Sequence, residues 1–115
     1  MAKIILGPIE VRKSLVGRGI TQYTAFCELV PMPLGFVWGV EFGGDRPFMH
    51  IWDSYVLEWA RRLGVRTAIN ETILKDNEVI ITGGRTAEGI AFMKARGYTF
   101  DQRLDQWSLV REAQV

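Results

Sequence analysis

Few side chains in this chain can begin a reaction. Cys27 is the only cysteine and His50 the only histidine among 115 residues. No internal disulfide, thiolate metal cluster or HExxH site can form, and no metal is expected. Acid–base work therefore falls to carboxylates, tyrosines and His50. Glu41 alternates with Phe36, Trp38, Val40 and Phe42. It reads either as a solvated strand carboxylate or as a general base on a central strand. His50 shares the parity of Phe48 and Trp52, and reads either as a hydrogen-bonded strand histidine or as a base facing a cleft. Tyr98 and Tyr55 are phenols able to donate a proton. Two segments have the residue types that hold anions, Arg61-Arg62-Leu63-Gly64 and Gly83-Gly84-Arg85. Small residues before a helix let backbone N–H groups approach a phosphate, and a guanidinium adds charge. A plain strand–helix turn is the competing reading of Gly83-Gly84-Arg85. Cys27 reads as an inert buried thiol. Trp38, Trp52, Trp59 and Trp107 read as core, and one left exposed would mark a partner surface.

Short elements must position these residues, because Gly and Pro punctuate the whole chain. Residues 3–6 read as a short strand, and Pro8–Val16 as a short helix ended by Gly17-Arg18-Gly19. Thr24–Val30, a stretch from Phe36 and a return through Phe48–Trp52 read as a three-stranded meander turning at Gly43-Gly44-Asp45. The period then changes. Asp53 or Ser54 can cap a helix, and Val56, Trp59, Ala60 and Leu63 follow at helical spacing. Val65, Ala68, Ile69, Thr72 and Ile73 continue that spacing to about Lys75. The alternative there is a hairpin of Thr67–Leu74 with Glu78–Thr82. Glu78–Thr82 reads as a central strand, 86–96 as a helix stopped by Gly97, and Tyr98–Leu104 and Gln106–Arg111 as two strands.

Composition excludes several function classes. With 48% hydrophobic and 23% charged residues, the chain is an ordinary globular one, a single domain over 1–115. Fourteen Lys plus Arg face thirteen Asp plus Glu, a formal net charge of +1. No concentrated basic excess marks a nucleic-acid binder. Ile4-Ile5-Leu6 is too short for a signal or a membrane span, so a soluble cytoplasmic protein is expected.

The order strand–helix–three strands–long helix–strand–helix–two strands, with the ending Phe92-Met93-Lys94-Ala95-Arg96-Gly97-Tyr98, resembles the GNAT superfamily of acyl-CoA N-acyltransferases. The resemblance covers residues 48–111 by motif and 3–47 by element order. It implies an α/β (α+β) domain, a mostly antiparallel mixed sheet flanked by helices. It also implies a Gln/Arg-x-x-Gly-x-Gly/Ala turn for the acetyl-CoA pyrophosphate just after Trp52. There the chain reads Asp53-Ser54-Tyr55-Val56-Leu57, with an acidic residue and no glycine. Arg61, Arg62 and Gly64 match the first half of the motif but fall inside the expected helix, and Arg66 replaces the small last residue. Met93 stands where the family has its general-acid tyrosine; Glu41 is the candidate base and Tyr98 the substitute acid. Both halves of the machinery look eroded. The resemblance extends to short, degenerate GNAT-like proteins of tailed bacteriophages, which implies a non-enzymatic role through contacts with other proteins, including phage structural proteins in virion or head assembly. The alternatives are an active small N-acetyltransferase using acetyl-CoA, and an acyl-CoA sensor without turnover. No cofactor is expected in the non-enzymatic case. Asp53, set beside the phosphates, predicts acetyl-CoA binding no tighter than about millimolar.

Overall fold

The computed structural model describes residues 4–83 and 86–111. Seven strands form one sheet: β1 (Glu10–Gly17), β2 (Ile20–Phe26), β3 (Gly35–Phe42), β4 (Phe48–Val56), β5 (Val79–Thr82), β6 (Thr99–Asp101) and β7 (Gln106–Val110). Two helices, α1 (Val65–Asp76) and α2 (Ala87–Ala95), complete it. The strand order is β1-β2-β3-β4-β5-β7-β6. Only β4 and β5 pair in parallel, and the other neighbours are antiparallel. The expected α+β class, with a mixed and mostly antiparallel sheet, is the one observed.

The first helix expected from sequence is absent. Pro8–Val16 is mostly strand β1, an edge strand joined to β2 by a tight hairpin that pairs Gly17 with Ile20. Gly19 supplies the positive φ (69°) that this turn needs. Ile4, Ile5 and Leu6 form no strand, and Lys3 lies outside the described residues. The second strand runs from Ile20 to Phe26 rather than from Thr24 to Val30, because pairing with β1 starts at the hairpin.

The expected helix over Asp53–Leu63 is also absent. β4 continues instead to Val56, paired with Gly35 of β3, and a single 3-10 turn at Glu58–Ala60 follows. Cross-strand aromatic contacts hold this extension, with Phe36 against Tyr55 at 6.4 Å and Trp38 against Trp52 at 6.0 Å. Trp59 is consequently 39% exposed and Trp52 54% exposed, not core. The helix of the sequence reading is real from Val65 onward, and its hairpin alternative is not formed. β5 lies between β4 and β7, as a central strand should.

Both crossovers leave one strand and return parallel to it, β4-α1-β5 and β5-α2-β6. Right-handed connection of each puts both helices on one face of the sheet. That face holds the core: Tyr23, Val37, Met49, Ile51 and Ile80 pack with Val65, Ile69 and Ile73 of α1 and Met93 of α2. Helix α2 is capped by Thr86, whose hydroxyl accepts from the Gly89 N–H at 3.0 Å. Arg66 of α1 lies over the Phe92 ring of α2 at 5.8 Å. The opposite face carries Phe36, Trp38, Val40 and Phe42 of β3, Phe48, His50, Trp52 and Tyr55 of β4, and Val79 and Ile81 of β5. Since β1 passes straight into β2, no described helix covers it.

Candidate functional site

β4 outlasts its parallel partner. The pairing ends at Ile51 with Thr82, while β4 runs on to Val56 held only by β3. The sheet therefore splays, and Trp52–Val56 has a free edge on the β5 side. The Ser54 N–H there donates to Asp53 Oδ1 and the Val56 carbonyl accepts from Arg61 Nε, and the remaining edge groups can receive another extended, amide-bearing chain. A bulge starts the splay. Trp38 pairs with Asp53 and Gly39 with Ile51, leaving Trp52 as the extra residue. Gly39 is required opposite it, because a Cβ at this position would collide with the His50 carbonyl. A cleft of about 360 Å³ opens at the vertex, lined by His50, Ile51, Trp52, Gly83, Leu104, Asp105 and Gln106.

The chain leaving the splayed end forms the Arg61–Gly64 turn directly before α1. Gly64, with φ 86°, is the N-cap of α1 and offers no side-chain cap; no acidic residue occupies the first turn. The N-terminal amides of a twelve-residue helix thus keep their partial positive charge. Arg62 is exposed and also has positive φ, 65°. Arg61 donates from Nε to the Val56 carbonyl at 3.0 Å, and its guanidinium stands over the Tyr55 ring at 5.6 Å. Its Nη1 lies 3.7 Å from Glu88 of α2. The Arg-x-x-Gly segment is therefore a turn at a helix start and not a stretch inside a helix. Asp53 is not part of that turn: it lies in β4 next to the bulge, paired with Trp38, eight residues before Arg61.

Glu41 and Tyr98 do not meet. Glu41 lies at the closed end of the sheet, beside the C-terminus of α1. Its carboxylate accepts from Tyr23 Oη at 2.7 Å and Asn77 Nδ2 at 2.6 Å, and pairs with Lys13 Nζ at 3.0 Å. Lys13 also reaches Asp76 at 3.2 Å. Burial pushes the Glu41 carboxyl up, but the bonds from Asn77, Tyr23 and Lys13 outweigh it and hold the group below the usual range. Burial, then the Glu41 charge, drives the Tyr23 phenol upward. A carboxylate with its acceptor sites filled in this way is a structural tie, not a free base. Tyr98 is buried between the helices, where Asn70 Nδ2 donates to its oxygen at 2.8 Å. Burial raises its phenol, opposed in part by Arg66 and Asn70. Asn70 and Asn77 are seven positions apart on one helix, about 10 Å, which separates the two candidates. Met93 is buried in α2.

Gly83 lies at the cleft, at the end of β5; Gly84 and Arg85 fall outside the described residues. Arg61, Arg62 and Gly64 come together at one turn. His50 reaches the cleft, and Trp52 and Tyr55 flank the free edge. Sequence reasoning placed Tyr55 and Asp53 in a helix, and the one signal against it was Gly39, a glycine inside an otherwise bulky strand. Among the described residues no group of three His, Cys, Asp or Glu side chains can hold a metal ion. No helix among them is long and apolar enough to cross a membrane.

No family model matches the sequence, and no curated protein matches it. Solved structures do match. One is a provisionally assigned acetyltransferase from Exiguobacterium sp. 255-15, at 20% identity and a TM-score of 0.60, covering 83% of this chain and 65% of that one. Another is a provisionally assigned acetyl transferase from Pyrococcus furiosus, at 20% identity and a TM-score of 0.54, covering 84% and 66%. The chain thus spans just under two thirds of the length of either protein. The fold is that of these acetyltransferase structures, GNAT-like.

Proposed function

We propose that this chain is an acyl-CoA-binding domain in which the acid–base pair of a transferase is not assembled. The observation that carries the binding half is the path of β4: a free strand edge leading through Arg61–Gly64 to the uncapped start of α1. The amides of an acyl-pantetheine arm suit the free edge. A pyrophosphate suits the helix N-terminus, with Arg62 and Arg61 beside it. Asp53 belongs to β4 and not to that turn, and this reading expects binding tighter than about 1 mM. Absence of turnover is expected because Glu41 is tied to Tyr23, Asn77 and Lys13, Tyr98 is buried between the helices, and Met93 has no proton to give.

Calorimetric titration with acetyl-CoA, paired with detection of free thiol, tests both halves. Heat saturating below about 1 mM with no CoA release supports the proposal. No heat at millimolar ligand sinks it. One observation favours a second reading, transfer to a small amine: His50, whose imidazole can act as a base, lines the cleft at the vertex of the splay. CoA release that His50→Gln abolishes would establish that reading. The role in phage-particle assembly rests on the sequence resemblance alone.

A further inference from the structure

The face of the sheet away from the helices is an exposed aromatic surface with an internal symmetry. Four cross-strand rows climb the β3–β4 seam: Phe42 with Phe48, Val40 with His50, Trp38 with Trp52, and Phe36 with Tyr55. Trp52 is exposed while the smaller Val40 and His50 beside it are half-buried, which makes the Trp row a ridge and theirs a dip. The two outer rows are both aromatic pairs. A two-fold axis across the strands, through Gly39 and Ile51, exchanges ridge with dip and one outer row with the other. Asp53 shares the Trp row, so the same operation brings it to His50 of the other copy.

We propose that this face binds a second copy of the chain, sheet against sheet, by that two-fold. Residue i then meets j and j meets i, as an isologous contact demands. Twisted sheets pack face to face with strands nearly aligned, at about 10 Å, which this arrangement permits. The area reaches the lower limit of a specific interface. Trp52 is 54% exposed, Val110 56%, Tyr55 45% and Phe42 44%. With their half-buried neighbours these leave on the order of 600 Å² per copy, at about 150–250 Å² for a whole aromatic side chain. A standard interface takes about 800 Å² from each partner, and the largest patch on a monomer is commonly about 300–600 Å². A formal net charge of +1 sets up little repulsion between copies. This proposal does not rest on acyl-CoA binding.

Sedimentation of the full-length chain across micromolar concentrations is the test. A dimer is expected, with tryptophan emission shifting to the red as it dissociates on dilution. Trp52→Glu should weaken the dimer at least 100-fold, judged as about two aromatic-anchor losses. Val40→Trp is the sharper variant. It makes the face more apolar but fills the dip, so the specific dimer weakens, whereas indiscriminate apolar association would strengthen. Leu15→Glu changes an even more exposed apolar residue on an edge strand and should leave the dimer intact. A monomeric wild type, a dimer that Val40→Trp strengthens, or one that Leu15→Glu dissociates would each overturn the proposal. The first would leave the face to a different partner.

Discussion

The two ends of this sheet hold polar groups in opposite ways. At the closed end Glu41 is surrounded by Tyr23, Lys13 and Asn77, and the carboxylate's acceptor sites are filled from within the chain. At the splayed end β4 has an unpaired edge, α1 begins without a side-chain cap, and Arg62 reaches solvent. Residue type alone suggested catalysis at Glu41. What separates the two ends is vacancy: a group whose partners are already in place ties elements together, and one left open is available to a ligand.

The largest effect should come from the closed end. Glu41→Ala leaves the Tyr23 hydroxyl and one of the two Asn77 amide N–H groups buried without an acceptor, the other still donating to the Ile73 carbonyl, and Lys13 without one partner. It should cost about 3–4 kcal/mol in urea-induced unfolding, with acetyl-CoA affinity unchanged in the fraction that folds. A loss below about 1 kcal/mol would mean the cluster is not the tie described. Gly39→Ala tests the bulge that opens the splay. Its Cβ cannot fit against the His50 carbonyl, so a stability loss of about 2–3 kcal/mol is expected. Unlike Glu41→Ala, it should also weaken acetyl-CoA binding by shifting β4.

Arg61→Ala with Arg62→Ala reverses the pattern. Both side chains are exposed, so stability should move by less than about 0.5 kcal/mol. Affinity for acetyl-CoA should fall about tenfold in calorimetry, and affinity for a pantetheine lacking phosphates should not change. The smallest effect is a pH dependence. Folded Glu41 sits below its ordinary value of 4.5, so it holds its proton less tightly than in the unfolded chain. Its contribution is fully present above about pH 4.5 and is lost as pH falls through the folded value. Stability of Glu41→Gln should therefore decline less than wild type between about pH 5 and 3, and parallel curves would remove Glu41 from this role.

Much of the fold can be read from local pattern. The alternation Phe36 to Phe42, the apolar Val79–Thr82 run and the Gly97 stop all correspond to observed ends and faces. The failures have one cause, information held elsewhere in the chain. Trp52 is an extra residue, so the parity of β4 reverses beyond it, and Tyr55, not Ser54, faces the aromatic side. A period-2 pattern broken in this way looks like the start of a helix. The charges of β1 obscure its alternation, and only its pairing with β2 makes it a strand. For the site, Arg61-Arg62-Leu63-Gly64 was visible as a motif, but its position depended on where β4 stopped. The saturation of Glu41 was invisible, since Asn77 lies 36 residues away.

The joint between β4 and β5 has a mechanical consequence. Among the described residues, four strand pairs and the bond from the Glu78 N–H to the Pro47 carbonyl join the β1–β4 meander to the β5–β7 group, and the Glu41 cluster braces α1 to the meander at the end where those pairs lie. Bending about that short seam would widen or narrow the cleft while leaving each group internally rigid. Hydrogen exchange should report such a hinge as intermediate protection at Ile80 and Ile81, below that of Tyr23 and Val37, with slower exchange at the seam when acyl-CoA is bound.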